Sequence, residues 1–254
     1  MRSIDLNADV GESFGAYTLG NDAGLMASIT SANIAAGFHA GDPSVLRATI
    51  RLARASGVAI GAHPGFPDLA GFGRRELHVT PQEAEDFILY QIAAVAGVAA
   101  AEGAELAHVK AHGALFNMAA RDRVLADALA RAVAAFDRSL RLFVPPDSEM
   151  ANAARALGLS VAIEVFADRG YEADGRLVSR RKTGAVIYDV NTVVARAVGL
   201  VADRTIVAQD GSRLPVDPDT ICIHGDTPGS DRLAAAVRAG LEAKGIAVKA
   251  MGAP

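Results

Sequence analysis

Apolar and polar positions alternate over residues 3–9, with Ile4, Leu6 and Ala8 on one side and Asp5, Asn7 and Asp9 on the other. A period of two is that of a β-strand. Burying the polar side of this strand is costly without partners, so Asp5, Asn7 and Asp9 are expected to be paired or functional. Further short apolar runs predict strands over 31–36, 58–63, 106–112, 140–144, 160–166 and 220–224. Between them the pattern lengthens to that of helices. Asp42-Pro43 is a helix start, an N-cap aspartate with proline in the first turn, and the helix is expected to run to Ser56 with Gly57 as its stop. Thr80-Pro-Gln-Glu83 reads as a capping box, and Phe87, Ile88, Ile92 and Val95 carry a long helix towards Gly103. Helices are also expected over 22–29, 123–136, from Pro145-Pro146-Asp147 to Leu157, over 189–202 and over 230–244, whereas 115–118 reads as loop or a first helical turn. Asp174-Gly175 and Asp210-Gly211 tolerate the positive φ of tight hairpins.

Strands alternating with helices predict an α/β protein with a parallel sheet. Seven such units suggest a seven-stranded, distorted (β/α) TIM-like barrel formed as one domain over residues 1–254; a doubly wound open sheet is the alternative. In such barrels the site lies at the C-terminal strand ends. Those ends supply Asp9, His39, His63, Lys110 with His112, Glu164 with Asp168, and His224 with Asp226. The richest stretch is 33–75, where two apolar strands each lead into a histidine flanked by glycine, proline and aspartate. Imidazole serves as acid, base or metal ligand near neutral pH. A lone strand-end histidine is usually structural, but His39, His63, His112 and His224 converge by topology. His78 reads as surface, and His108, deeper in its strand, as a buried partner of Asp5 or Asn7. Lys110, aimed into a barrel, must be ion-paired, with Asp9 or Glu164, or have its pKa lowered by desolvation. Arg74 and Arg75, after Gly-Phe-Gly, are placed to hold a carboxylate or phosphate, whereas Arg180-Arg181-Lys182 reads as solvated loop.

Composition narrows the chemistry. A net charge of −4 gives no general attraction to nucleic acid or to anionic membranes. The single cysteine, Cys222, excludes an intramolecular disulfide framework, and its place between two isoleucines suits packing better than nucleophilic attack. The first residues lack the basic and then apolar run of a signal peptide, and the alanine-rich 92–101 stretch reads as too short to span a membrane, so a cytoplasmic location is expected. There is no Gly-x-x-x-x-Gly-Lys-Ser/Thr loop, no dinucleotide fingerprint and no Gly-x-Ser-x-Gly elbow. Acid/base chemistry or metal-assisted hydrolysis is favoured over a covalent mechanism.

The longer motifs carry a resemblance. Ile4-Asp-Leu-Asn-Ala-Asp-Val-Gly-Glu-Ser13, Ser31-Ala-Asn-Ile-Ala-Ala-Gly-Phe-His-Ala-Gly-Asp-Pro43, Gly61-Ala-His-Pro-Gly-Phe-Pro-Asp-Leu-Ala-Gly-Phe-Gly-Arg-Arg75, His108-Val-Lys-Ala-His-Gly-Ala-Leu-Phe-Asn117, Glu164-Val-Phe-Ala-Asp-Arg169 and Asp219-Thr-Ile-Cys-Ile-His-Gly-Asp226 run over nearly the whole chain. In this order they resemble the LamB/YcsF family of lactam-utilisation proteins. Ala8, Ala36, Ala111 and Phe116 depart from the family pattern, which has cysteines at the first two positions, a proline at the third and a tyrosine at the fourth. A thiol role at 8 and 36 is thereby excluded.

The resemblance implies a barrel of the glycoside hydrolase/deacetylase type that opens 5-oxo-L-proline to L-glutamate at the expense of ATP, with partner subunits B and C. On that basis Asp9, Glu12, His63 and Asp226 are expected to orient and activate water, and Lys110 and His112 to stabilise developing charge or protonate the departing nitrogen. His39, Glu164, Asp168 and His224 complete the catalytic candidates. Asn7, Arg74, Arg75, Asn117 and Arg169 are the substrate-binding candidates. Lys110→Met is expected to abolish turnover with the fold intact. A stand-alone metal-dependent deacetylase or amidohydrolase, with Asp9, His39 and His63 around a divalent metal, is the alternative, and a non-catalytic binding component of a larger complex is a third.

Overall fold

The computed structural model describes residues 2–251. In chain order these form β1 (Ser3–Val10), α1 (Asp22–Met26), β2 (Ser31–Ala35), α2 (Pro43–Ala55), β3 (Ala59–His63), a 3-10 turn (Leu69–Gly71), α3 (Pro81–Ala101), β4 (Leu106–Lys110), α4 (Gly113–Ala119), α5 (Arg123–Phe136), β5 (Arg141–Val144), α6 (Glu149–Ala156), β6 (Val161–Phe166), α7 (Val190–Ala202), β7 (Thr205–Val207), β8 (Arg213–Pro215), β9 (Thr220–Ile223), α8 (Ser230–Ala243) and β10 (Ala247–Val248). Strands β1 to β6 pair in sequence and in parallel, and β9 pairs with both β6 and β1, so seven strands close a ring. That closure removes the open-sheet alternative. β10 adds two residues beside the start of β1, and β7 with β8 form an outlying antiparallel ribbon around the Asp210-Gly211 turn.

Local signals account for the helix starts. Asp42 accepts from the amides of Ser44 and Val45, and Thr80 and Glu83 satisfy each other's backbone in the predicted capping box. Three expectations need correction. Residues 113–119 are a full helix, α4. The helix after Pro145-Pro146 starts later than its prolines suggest: Asp147 sits at φ 46 and Ser148 is the cap, its hydroxyl accepting from the Ala151 amide. Helix α3, with 21 residues, is long and apolar enough by length and composition to cross a membrane, contrary to the shorter estimate from 92–101 alone. In this fold it lies in the outer layer against α5 and β3, burying Ala84, Ile88, Ile92, Val95 and Ala99.

The barrel interior is polar in rungs. Asp5 accepts from Ser31 at 2.6 Å, Thr30 at 2.7 Å and Thr220 at 2.5 Å. One rung higher, Asn7 donates to Thr220 at 2.7 Å and accepts from Asn33 at 2.7 Å. The outward side of β1, with Ile4, Leu6, Ala8 and Val10, belongs to the apolar core. Hydrogen bonding within the rungs is what makes burial of the polar side tolerable.

His108 fills the second rung. Its Nε2 donates to Asn33 Oδ1 at 2.8 Å, and its ring stacks on Phe143 with centroids 4.2 Å apart. Its partner is therefore Asn33 rather than Asp5 or Asn7. The ring fits because position 61 is glycine: a Cβ there would lie 2.0 Å from His108 Nε2. Burial, reinforced by Lys110, pushes the His108 pKa down from 6.5 to about 3. Between those values the unfolded chain binds a proton that the folded chain refuses, so stability falls as pH drops through that window. By pH 5 the loss is about 2 kcal/mol. Urea unfolding at pH 7 and pH 5 is expected to show a pH difference smaller by that amount in His108→Gln than in the unsubstituted protein; equal differences would refute the assignment.

Candidate active site

The next rung up is charged. Lys110 at the end of β4 lies 2.8 Å from Asp9 Oδ1 at the end of β1 and 3.0 Å from Glu164 Oε1 on β6, and all three are buried. Burial disfavours the ammonium, but Asp9 leads a set of contacts that outweighs it and holds the Lys110 pKa well above its ordinary value. The lysine is thus a buried cation with two carboxylates, as one sequence reading requires. Burial would also raise the Asp9 carboxyl, but His63 and Lys110 hold it well below the usual range. Glu164 is raised by burial despite its lysine partner. Lys110 Nζ also lies 2.9 Å from Cys222 Sγ, a contact no sequence pattern signals. Burial pushes that thiol well up, so Cys222 is a neutral neighbour and not a nucleophile.

A second polar group stands across the mouth. His224, just after β9, donates from Nδ1 to Asp168 Oδ2 at 2.8 Å, and its ring stacks on Phe166 at 5.3 Å. The bond is charge-assisted, and it leaves Nε2 as the ring nitrogen available to a bound molecule. Burial works against the Asp168 carboxylate, yet His224 holds its pKa below the ordinary value.

The third group is a cluster of imidazoles. His39 follows β2, His63 ends β3 and His112 precedes α4. The His39 and His112 rings stack at 3.7 Å with 5° between planes, and His63 meets each edge-on. Glu12, from the loop after β1, places Oε1 3.4 Å from His39 Nε2 and 3.6 Å from His112 Nδ1. One ligand atom from each of Glu12, His39, His63 and His112 falls within 4.8 Å of the others, so this quartet has the composition and closeness to hold a metal ion.

These groups meet at a cavity of about 1320 Å³. Of the predicted site residues, Asp9, Glu12, His63, Lys110, His112, Glu164, His224 and Asp226 line it, with Arg74, Arg75, Asn117 and Arg169. His39 and Asp168 stand behind His112 and His224. Asn7 lies a rung below the floor, holding Asn33 and Thr220, which makes it a support rather than a substrate contact. Arg74 is bound to Asp226 at 2.7 Å, and Arg75 grips Asp68 through Nε and Nη2. Arg169 donates to the carbonyls of Ala185 at 2.8 Å and Val178 at 2.7 Å, pinning the loop after β6. Asn117 donates to Gly113 O at 3.0 Å.

That pinned loop brings in two residues whose sequence context reads as solvated loop. Arg180 and Arg181 line the cavity and, among the described residues, neither has a carboxylate within ion-pair reach or a hydrogen bond from its guanidinium. Arg180 is close enough to help lower the Asp168 carboxyl. The available signal was the long segment between β6 and α7, with its hairpin at Asp174-Gly175, which folds back over the mouth through Tyr171 opposite Leu177 and Arg169 opposite Val186.

Known proteins agree with this architecture. Residues 4–254 match the model of the LamB/YcsF family. A Chloroflexus aggregans protein named as the A subunit of 5-oxoprolinase is 55% identical over 249 residues, 98% of this chain and 99% of that protein. One of the same name from Thermococcus onnurineus is 51% identical over 249 residues, 98% of each. The crystal structure of a lactam utilization protein from Thermus thermophilus superposes with a TM-score of 0.93 at 46% identity, covering 98% of this chain and all of that one. Matched by the family model over residues 4–254, the chain belongs to the LamB/YcsF family.

Proposed function

We propose that this chain is the A subunit of an ATP-dependent 5-oxoprolinase, working in the cytoplasm with subunits B and C to hydrolyse 5-oxo-L-proline to L-glutamate. The observation that carries the reading is the Lys110 ammonium, fixed between Asp9 and Glu164 on the floor of a cavity faced by the Asp168–His224 pair. Full-length relatives named for the A subunit of 5-oxoprolinase support it.

An unstrained five-membered lactam is a stabilised amide. Transfer of the ATP γ-phosphoryl group to the ring oxygen converts it to an imidate with a good electrophilic carbon. Water attack at that carbon and cleavage of the C–N bond then yield γ-glutamyl phosphate. A second water attacking the same carbon breaks its bond to the phosphate-bearing oxygen, releasing glutamate and inorganic phosphate that carries the former ring oxygen. The lack of a Gly-x-x-x-x-Gly-Lys-Ser/Thr loop fits a division of labour in which the partner subunits do much of the nucleotide work. In the barrel, Lys110 offers fixed positive charge where negative charge develops on oxygen. His224, its tautomer set by Asp168, supplies a proton to the departing ring nitrogen from Nε2. Asp9 faces the same floor and orients the attacking water.

Arg180 and Arg181 hold the anionic part of the substrate, its carboxylate or the added phosphoryl group. Arg74 and Arg75 are less suited because Asp226 and Asp68 already occupy them. Arg180→Gln is expected to raise KM for 5-oxoproline about tenfold in the full complex, the cost of one charge-assisted contact, with little change in kcat. An unchanged KM would remove Arg180 from substrate binding.

The reading is tested by glutamate release from 5-oxoproline and ATP. Release by the full mixture, with none from the partners alone, is expected; partners that are fully active without this chain would reduce it to a scaffold.

A further inference from the structure

The hydrogens on the histidine cluster can be placed from its backbone partners. His63 Nδ1 lies 2.8 Å from the carbonyl oxygen of Lys110, and His112 Nε2 lies 2.8 Å from that of Phe72. A carbonyl has no proton to give, so both nitrogens carry hydrogen and donate. In neutral rings the opposite nitrogens, His63 Nε2 and His112 Nδ1, are then bare lone pairs. They face each other at 3.0 Å. Two lone pairs cannot bond to one another; they need an electropositive centre between them.

The remaining atoms make the same demand. Glu12 Oε1 and both ring nitrogens of His39 are buried with no hydrogen-bond partner in the chain. The Glu12 and His39 side chains are 4% and 0% exposed. Buried polar atoms of this kind ordinarily find partners. A proton on His63 Nε2, which also lies 3.4 Å from Asp9 Oδ1, shared with His112 would make His63 the cation that lowers the Asp9 carboxyl, yet it would leave His39 unsatisfied. A metal ion accepts lone pairs from all four. The arrangement is also braced: Gly65 and Gly73 give the rings room, since a Cβ would come within 2.6 Å of His39 Nδ1 at the first position and 2.8 Å of His112 Cδ2 at the second.

We propose that Glu12, His39, His63 and His112 bind one divalent transition-metal ion. Three imidazoles and one carboxylate suit Zn²⁺, Co²⁺, Ni²⁺ or Fe²⁺ rather than Mg²⁺ or Ca²⁺, which prefer all-oxygen sites. Donation of the far ring N–H of His63 and His112 to backbone carbonyls is the outer-shell pattern that fixes metal-ligating histidines. The set differs from the sequence-based trio: Glu12 and His112 join His39 and His63, while Asp9 Oδ1, bonded to Lys110 and Asn33, stands beside the cluster 3.4 Å from His63 Nε2.

The test uses the full-length protein without a histidine tag, stripped with a chelator and titrated with Co²⁺. One equivalent is expected to bind with visible d–d absorption bands and to be displaced by Zn²⁺. Glu12→Gln and His39→Asn are each expected to weaken binding at least tenfold, while Asp168→Asn leaves it unchanged. Absence of the bands in the unsubstituted protein would overturn the proposal in favour of a shared proton. Binding that survives both Glu12→Gln and His39→Asn would overturn it by placing the ion elsewhere. Should His39→Asn fail to fold, the near-isosteric Glu12→Gln decides. The readout is absorption rather than turnover, so failure of the lactam reading leaves this result interpretable.

Discussion

Replacing Lys110 by methionine is expected to lower glutamate production by the assembled complex about 100- to 1,000-fold, the usual effect of removing a fixed stabiliser of developing negative charge. The same substitution is expected to cost the fold about 3–5 kcal/mol, because it leaves a buried charge without its partner. This revises the expectation that the fold would be untouched: Asp9 and Glu164 converge on one ammonium, and without it they face each other. Protonation of Glu164, whose pKa burial already raises, limits the damage. Chemical unfolding measures the stability cost, and glutamate release measured well below the unfolding transition gives the rate. A folded Lys110→Met protein with full activity would remove Lys110 from the chemistry.

The second large effect is expected at Gly225. A Cβ at this position would lie 2.0 Å from the backbone carbonyl oxygen of Asp9 and 3.3 Å from Leu25 Cδ1. The first contact is with the end of a central strand, which cannot rotate away as a side chain can. Gly225→Ala is therefore expected to destabilise the protein by about 3 kcal/mol or more and to push Asp9 and His224 apart. Thermal unfolding and turnover are expected to fall together. An alanine variant as stable and active as the unsubstituted protein would mean that the close approach of β1 and the loop after β9 is unimportant. The glycine between His224 and Asp226 thus acts as a spacing device that brings two strand ends together.

Much of this architecture is legible in the sequence because it rests on local rules. The alternation in residues 3–9 separates Ile4, Leu6 and Ala8 from Asp5, Asn7 and Asp9, and the structure puts the first set in the helix-facing core and the second inside the barrel. Asp42 and Thr80 cap the helices they announce because a cap is satisfied within three residues. Once the strands alternate with helices, the rule that sites collect at C-terminal strand ends brings Asp9, His63, Lys110 and His224 to one cavity.

Contacts between loops escape such rules. The stacking of His39 on His112 joins the loop after β2 to the one after β4, and no periodicity relates them. Arg74 and Arg75 look equivalent in sequence, yet one reaches across the mouth to Asp226 and the other returns to Asp68 on its own loop. Arg180 and Arg181 read as solvent-facing because nothing local reports that Arg169 pins their loop over the cavity. Cys222 is packed, as its neighbours suggest, but its 2.9 Å contact with Lys110 comes from the closure of the barrel.

In the proposed reaction, water attacks a lactam carbon whose oxygen already carries a phosphoryl group at the mouth of this barrel. The most direct measurement uses 5-oxoproline labelled with a heavy oxygen isotope at the ring carbonyl, converted by the full complex with ATP. Mass spectrometry of both products is expected to find the label in inorganic phosphate and solvent oxygen in the new carboxylate of glutamate. Label retained wholly in glutamate would mean that the ring oxygen is never transferred to phosphate, and would refute activation by phosphorylation at that oxygen.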